Sequence, residues 1–192
     1  MFSLKNLSPS VTDMIRFDHS HVSVTFHQYV GSKQAKVKAA LAETICDALE
    51  IHATLEEEIF YPALRQRGVG GSVLADSVPE HDTMRGLIAA IRRSTPGSAE
   101  YDGCVHALMR EVLHHVADEE TVLLPEAERI MRASELNELG VQMTQRRMQL
   151  LTPKLGKVAR NTAVGYSNST AALALGAVAA LLTVRAVSRR IA

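Results

Sequence analysis

One pattern of chemically active residues occurs twice in this chain, 63 residues apart. Its two copies are His52, Glu56, Glu57, Pro62 and His115, Glu119, Glu120, Pro125. On an α-helix, a histidine and a glutamate four residues apart differ by only about 40° in direction and about 6 Å in height, so both reach one point. Two such helices facing each other would pool two imidazoles and two carboxylates. This donor set suits iron, manganese or zinc, and opposed carboxylates suit two adjacent cations.

The glutamates of this pattern interrupt helix faces that are otherwise apolar. The residues at helical steps on the same faces are Val37, Leu41, Ile45 and Leu49 for one copy, and Leu108 and Val112 for the other. A carboxylate buried on such a face needs a cation, a proton or an arginine. We therefore interpret Glu56 and Glu119 as metal ligands, together with His52 and His115. The alternative is that both glutamates are exposed members of short acidic runs.

Two further histidines lie on the inward faces of other predicted helices. His19 and His81 have no acid four residues later, where the chain has Ser23 and Arg85. Each would be weak evidence by itself. With them, however, every helix of a four-helix arrangement contributes a ligand, so we include both in the predicted site.

Other histidine pairs are less consistent with this arrangement. His114 and Asp118 have the same spacing but are one residue out of phase with His115, and the repeat favours His115. Ferritin-like bundles need a Glu-x-x-His motif on each of two helices, and the chain has one match, Glu111 to His114. Three histidines fall off the inward faces and are predicted to be surface residues: His21, His27 and His106.

Apolar spacing and capping signals predict helices over residues 1–152. Because short connections join long amphipathic segments, we expect an all-α, up-down-up-down four-helix bundle. The predicted helices run from Thr12 to Tyr29, Lys33 to Leu64, Ser77 to Ser94 and Ala99 to Leu124, with a shorter fifth helix after Ser134. Pro62 and Pro125 should kink or end their helices at matching levels.

Charge divides the 192 residues into two parts. Residues 1–152 carry a net charge of −6 and residues 153–192 a net charge of +6, which predicts a helical domain followed by a tail that begins at Pro153. Residues 161–184 carry no charge, and their most apolar part is 171–184. We expect membrane contact through 161–184, with the basic flanks on anionic lipid. The alternative is a small-residue helix that packs on a partner chain.

Several function classes are excluded by what the sequence lacks. It has no H-E-x-x-H, no glycine-rich phosphate loop and no G-x-S-x-G, and its acidic first part argues against nucleic acid as a partner. Cys46 and Cys104 form no C-x-x-C pair, which favours a reducing compartment. The start of the chain has no signal-peptide pattern. We expect a cytoplasmic location, with the tail as a candidate membrane tether.

The ligand-type residues and their neighbours closely resemble the hemerythrin-like (HHE) cation-binding family, in order and with one motif per helix over residues 10–150. The matching runs are Asp18-His19 with Val22 and Phe26, His52-Ala-Thr-Leu-Glu56-Glu57-Glu58-Ile-Phe-Tyr-Pro62, Glu80-His81, and His114-His115-Val-Ala-Asp-Glu119-Glu120 with Leu123-Leu-Pro125. The resemblance implies a four-helix bundle around a non-haem di-iron centre, with two irons per chain ahead of zinc or manganese. It implies bridging carboxylates at Glu56 and Glu119 and terminal ligands at His19, His52, His81 and His115.

The chain departs from the oxygen-carrying members of this family at Arg85, where they have a fifth histidine. One iron would then keep an open position or take a substitute ligand, for which the candidates are Glu57, Glu120 and Tyr29. An arginine at this place would also orient an anion or a peroxide.

Tyr61 is a poor candidate for the substitute ligand. It lies nine residues after His52, which is about 180° around a regular helix. Only a distortion of the turn at Pro62 would bring it into the site.

These observations predict a di-iron protein that binds, senses or processes oxygen, nitric oxide or peroxide. The first alternative is a peroxide-decomposing, catalase-like enzyme. The second is a structural or interaction module in which a cation, such as zinc, only locks the bundle.

Overall fold

A computed structural model describes residues 9–167 of the chain, and within this range every regular element is helical. The α-helices are α1 (Val11–Gly31), α2 (Ala35–Leu55), α3 (Tyr61–Gln66), α4 (Ser72–Arg93), α5 (Ala99–Asp118), α6 (Leu124–Ile130), α7 (Ala133–Leu151) and α8 (Leu155–Gly165). A π-helical turn, Glu56–Phe60, joins α2 to α3, and a second one, Glu119–Leu123, joins α5 to α6. A short 3₁₀ turn, Thr152–Lys154, precedes α8.

Four long rods form the bundle: α1, α2 continued by α3, α4, and α5 continued by α6. The connections between them are short, at residues 32–34, 67–71 and 94–98, as expected for neighbouring helices of a bundle. The predicted four-helix bundle is confirmed, and most predicted bounds lie within a few residues of those observed. Ser10 and Ser98, directly before α1 and α5, cap these helices by accepting hydrogen bonds from the backbone N–H groups of Asp13 and Tyr101.

The third predicted helix begins too late. α4 starts at Ser72, directly after Gly71, whose φ of 112° ends the preceding turn. Ser77, where this helix was predicted to begin, instead donates a hydrogen bond from its hydroxyl to the Val73 carbonyl, a helix-interior arrangement. Pro79 therefore lies inside the helix.

Two apolar clusters fill the bundle, one on each side of the predicted site. The first includes Val22, Phe26, Leu41, Leu49, Ile88, Leu108 and Val112. The second includes Ile15, Leu55, Phe60, Leu64, Leu74, Leu123 and Leu124. Along α1, His19 lies between Ile15 and Val22, and along α2, His52 lies between Leu49 and Leu55. The predicted ligands therefore occupy the layer between the two clusters.

The predicted fifth helix, α7, has 19 residues and is shorter than each of the four rods, as expected. It runs from Ala133 to Leu151 and packs on α1. Gly140 allows this close approach, because a Cβ atom added there would lie 2.1 Å from the Pro9 carbonyl oxygen.

We expect Gly140→Ala to lower the free energy of unfolding by about 1–3 kcal/mol, since the clash is with backbone and no rotamer change can relieve it. Gly103 in α5 is the matched control, because an added Cβ there meets nothing within 4 Å. Gly103→Ala should instead raise the free energy of unfolding, by about 0.5–1 kcal/mol. Urea denaturation of both variants measures the difference, and equal effects would show that α7 does not pack this closely.

The first residues of the predicted tail pack against the bundle. Lys154 and Lys157 each place Nζ 2.9 Å from a carboxylate oxygen of the buried Asp47 in α2. The Tyr166 hydroxyl lies 2.7 Å from that of Thr25 in α1. The segment up to residue 167 thus covers α2.

Among residues 9–167, none of the helices is both long and apolar enough to cross a bilayer. The most apolar part of the predicted membrane segment, 171–184, lies outside the described residues. Membrane contact there stays a prediction.

Candidate metal centre

The structure brings all six predicted ligands together in the bundle interior. They are His19, His52, Glu56, His81, His115 and Glu119, and every one is at most 5% exposed. Their ligand-type atoms form two clusters, each with all atoms within 4.8 Å of one another. The first comprises His19, His52, Glu56 and Glu119, and the second comprises Glu56, His81 and His115. Glu56 therefore belongs to both clusters.

The Nε2 atoms of the histidines point toward the two carboxylates. His52 Nε2 lies 3.1 Å and His81 Nε2 3.4 Å from Glu56 Oε2. Glu119 Oε2 lies 3.3 Å from His19 Nε2 and 3.5 Å from His115 Nε2. The Nε2 atoms of His81 and His115 are 3.1 Å apart.

Three buried atoms in this group have no hydrogen-bond partner among the described residues: His19 Nε2, Glu56 Oε1 and Glu119 Oε2. Unpaired buried acceptors are costly and therefore uncommon. The histidine and carboxylate donors fit divalent cations, which would satisfy the lone pairs that the protein leaves without a partner.

A carboxylate lies beside the outer nitrogen, Nδ1, of each of the four histidines. The pairs are His19 with Glu120 at 2.9 Å, His52 with Asp18 at 3.4 Å, His81 with Glu57 at 2.8 Å, and His115 with Glu80 at 2.7 Å. A carboxylate on Nδ1 fixes the ring and leaves Nε2 free to bind a metal, as in many metal sites. Sequence reasoning missed this role for all four carboxylates.

Comparison with known proteins agrees with this geometry. The sequence profile of the hemerythrin HHE cation-binding domain matches residues 10–127. The chain belongs to this family. HHE domains bind metal cations, and this one has clusters of His and Glu suited to doing so.

The fold of this HHE domain resembles that of a hemerythrin HHE cation-binding domain-containing protein from Mycobacterium kansasii. The TM-score is 0.67, with 19% sequence identity, over 88% of this chain and 99% of that one. A DNA nickase from Nostoc sp. PCC 7120 is 29% identical over 114 residues, or 59% of this chain. The match covers 32% of the nickase, so this HHE domain corresponds to about a third of that protein.

Tyr61 lies inside the centre, contrary to the prediction from regular helix geometry. Its hydroxyl donates hydrogen bonds to Glu119 Oε1 at 2.8 Å and to Glu56 Oε2 at 3.2 Å. Burial and the neighbouring charges of Glu56 and Glu119 raise the pKa of Tyr61 far above its usual value, so the phenol keeps its proton.

The π-helical turn explains why Tyr61 reaches the site. The Tyr61 N–H bonds to the Glu56 carbonyl, five residues back, so the turn is wider than an α-helical one. Pro62 has no N–H for the Glu58 carbonyl, and its ring crowds that carbonyl. Pro62 and Pro125, which were predicted to kink or end their helices, follow π-helical turns, and the rods continue beyond them as α3 and α6. The second copy repeats the turn before Pro125, with Leu124 in place of Tyr61.

Tyr29, a suggested substitute ligand, and Arg85, suggested to orient an anion, each bind another residue instead. Tyr29 donates a hydrogen bond to Asp102 at 2.6 Å and lies ten residues, or about 15 Å of helix, from His19. Arg85 does not face the centre but binds both oxygens of Glu57, at 2.8 and 2.9 Å. It therefore holds the carboxylate that orients His81, and its predicted role in orienting an anion is not supported by this contact.

Without metal, the centre is an array of coupled charges. Burial would lower the pKa of His115, but interactions with Glu56 and Glu119 raise it to about 9. Burial would raise the pKa of Glu56, but the charge of His52 and contacts with neighbouring histidines hold it well below its usual range. Burial opposes a low pKa for Asp18 as well, yet His52 and Arg147 lower it to about 2.

A cavity of about 10 Å³ adjoins the first cluster. Its lining consists of Asp18, His19, Val22, Leu49, His52, Val112, His115 and Val116. The lining combines three imidazoles and one carboxylate with four aliphatic side chains. This volume is close to the minimum that holds one water-sized molecule.

Proposed function

We propose that this HHE domain is a non-haem di-iron protein that binds and senses a small ligand such as oxygen, nitric oxide or peroxide. The proposed ligands are His19, His52, Glu56, His81, His115 and Glu119. The observation that carries the proposal is the membership of Glu56 in both clusters, because one carboxylate with two oxygens can serve two cations.

The donor set and the resemblance to hemerythrins together favour iron. Four imidazoles and two carboxylates without a thiolate suit iron, manganese or zinc, and iron is the metal that the resemblance to hemerythrins implies. Cys46 does not supply a thiolate, since it is fully buried in the first apolar cluster. Bound iron would supply the capacity to take up a small ligand with a change of redox state.

The protein supports this ligand class through the size and polarity of the cavity. A volume of about 10 Å³ is close to the minimum for one water-sized molecule, so the cavity suits only very small ligands and excludes organic substrates. Val22, Leu49 and Val112 are almost fully buried and provide walls without hydrogen-bonding groups. Asp18 and the imidazoles of the site complete the lining, so a ligand there would meet both apolar and polar groups.

The test is metal quantification with an absorption spectrum of protein purified from iron-replete cells, before and after addition of oxygen, nitric oxide or peroxide. Two irons per chain and a spectral change with a stoichiometric amount of ligand support the proposal. One zinc, or no metal, contradicts it and favours the structural module in which a cation only locks the bundle.

A peroxide-decomposing enzyme is the second candidate, and Tyr61 is the observation that favours it. Its phenol is hydrogen-bonded to both glutamates and is placed to hold a proton at these two proposed ligands. Rapid oxygen evolution from peroxide by the iron-loaded protein would support turnover. Stoichiometric binding without oxygen evolution would support sensing or storage.

We expect Tyr61→Phe to keep both irons and to slow the reaction of the iron-loaded protein with peroxide by at least about tenfold. The reason is that positioned proton donors contribute roughly 100-fold or more to such steps. Stopped-flow absorbance measures the rate. Tyr29→Phe is the control, because it removes a similar hydroxyl-carboxylate bond away from the centre. Equal rates in wild type and Tyr61→Phe would exclude a role for the phenol.

DNA cleavage is not part of this proposal, although the Nostoc relative is a DNA nickase. The match covers about a third of that protein, and residues 1–152 here carry a net charge of −6, which opposes binding to phosphates. We keep the prediction that nucleic acid is not a partner.

The predicted membrane segment began at residue 161, but residues 161–167 pack on the bundle, so we propose membrane contact through the remaining residues, 168–184. Cutting the chain after residue 167 keeps the segment that packs on α2 and should release the protein from vesicles of anionic lipid without changing its metal content. Equal vesicle binding by both forms would refute this proposal.

A further inference from the structure

A cavity of about 520 Å³ lies at one end of the bundle, where α2, α8 and the connection from α4 to α5 meet. The apolar part of its lining consists of Ala39 and Ala40 of α2, Ile91 of α4, Pro96 of the connection and Val164 of α8. The volume is within the range of pockets that hold small organic molecules. Ala39 precedes His52 on α2 by about 20 Å of helix, so the cavity is separate from the metal centre.

Two buried polar side chains line this cavity without a partner. Tyr101 is 4% exposed and Asn161 is 8% exposed. Within residues 9–167, neither the Tyr101 hydroxyl nor the Asn161 amide forms a hydrogen bond. Burial raises the pKa of Tyr101 above its usual value, so the phenol keeps its proton and can donate it in a hydrogen bond. Because buried polar groups are normally paired, both side chains are available to a molecule in the cavity.

The lining also carries an excess of positive charge. Lys36, Arg92 and Arg160 border the cavity together with one acid, Glu43. Glu43 is already paired, with Arg92 at 3.0 Å and with Lys157. In the part of the chain that the structure describes, neither Lys36 nor Arg160 has an ion-pair partner. The charges of these two side chains are therefore left for a ligand to balance.

The N-terminus of α2 adds to the positive potential. This helix begins at Ala35 without a side-chain cap, and its first turn has no acid but includes Lys36. The positive end of the helix dipole and a positive side chain thus lie together. An anion stabilises such an arrangement.

The remaining residues of the chain do not complement this lining. Residues 168–192 include Arg185, Arg189 and Arg190 and have no acidic side chain. Their charge has the same sign as that of Lys36 and Arg160, which opposes binding of the tail in the cavity.

We propose that this cavity binds one small organic anion, in which a carboxylate or phosphate group is carried by an apolar body. Lys36 and Arg160 pair with the anionic group, and the Tyr101 hydroxyl donates a hydrogen bond to it. The apolar body contacts residues such as Ala39 and Val164. The site uses none of the proposed metal ligands, so it stands or falls independently of the proposed function.

The test is isothermal titration calorimetry of the full chain with hydrocinnamate and with phenyl phosphate, at millimolar concentrations. At least one of these anions should bind at one site per chain, and the tighter one identifies the preferred anionic group. Phenylpropylamine carries the same ring with the opposite charge and should not bind. Acetate and inorganic phosphate lack the ring and should bind more weakly by about tenfold or more.

A double substitution locates the bound anion. Lys36→Gln with Arg160→Gln should weaken binding by about tenfold or more, because the anionic group loses both opposite charges. The control is Arg65→Gln with Arg110→Gln, which removes two exposed cations that do not line the cavity and should leave the affinity unchanged.

Tyr101→Phe separates a role in binding from a role in the fold. Because the hydroxyl has no partner among residues 9–167, its removal should leave the melting temperature unchanged and weaken binding by about threefold or more. A lower melting temperature with unchanged affinity would assign the hydroxyl to the fold and remove it from the site.

Three results would overturn the inference. They are no binding of either aromatic anion, equal binding of the amine or of the ions without a ring, and equal affinity in the Lys36 and Arg160 variant and its control.

Discussion

Replacing Glu56 with glutamine should remove both metal ions together. Glu56 is fully buried and is the residue that the two clusters share. The amide has the same shape but lacks the negative charge and one of the two donor oxygens. We expect metal affinity to fall by more than the roughly 10–100-fold that changes around a metal's ligands cost. Elemental analysis after dialysis should find a small fraction of one iron per chain.

Two comparisons make this prediction specific. Glu58→Gln changes the same π-helical turn, but Glu58 is exposed and pairs with Arg146, so that variant should keep two irons. Glu119→Gln removes a carboxylate that belongs to the first cluster, so it should weaken that cluster more than the second. Loss of one iron from Glu56→Gln, with the other firmly held, would show that Glu56 is not shared.

The metal-free protein should lose stability as the pH rises from 6 to 9, and His115 should account for about 3 kcal/mol of the loss. The pKa of its imidazole is raised to about 9 in the folded chain, against about 6.5 when unfolded. A raised pKa means that the stabilisation is fully present below pH 6.5 and disappears as the pH approaches 9. The raised pKa of His19 adds to the same trend.

Urea denaturation of chelator-treated protein at several pH values measures this effect. In His115→Gln the fall between pH 6 and 9 should shrink by about 3 kcal/mol, since glutamine does not titrate. His27→Gln, which changes an exposed histidine of α1, should leave the pH dependence as in wild type. A curve for His115→Gln parallel to that of wild type would mean that the charged imidazole does not compensate the buried carboxylates.

Sequence periodicity was sufficient to predict the bundle and the gathering of the six residues. The 63-residue repeat places His52 and His115 at the same level of two rods, and helical spacing carries their glutamates to the same level. His19 and His81 were placed by their position on inward faces, which the structure bears out in geometry.

Helical spacing could not predict which residues surround the proposed ligands. Tyr61 enters through a π-helical turn that breaks the regular 100° step, and the available signal was the proline that follows each copy of the motif. All four contacts at histidine Nδ1 are between rods, such as Asp18 with His52, and helical periodicity describes only one rod at a time.

The charge distribution suggested a boundary near Pro153 between a domain and a tail, and the packing of the chain does not follow that boundary. The contrast between the acidic residues 1–152 and the basic residues after them suggested a separate tail. The same contrast brings the two parts together, because Lys154 and Lys157 pair with Asp47 on α2. The change from acidic to basic residues near Pro153 therefore reflects ion pairs between α2 and the segment that follows, as far as residue 167.

The central claim is that two iron ions occupy the two clusters and share Glu56. Anomalous diffraction at the iron edge from crystals of the iron-loaded chain tests it directly. The account predicts two peaks, one bordered by His19 and His52 and the other by His81 and His115, with Glu56 reaching both. A single peak, or peaks away from these residues, would contradict it.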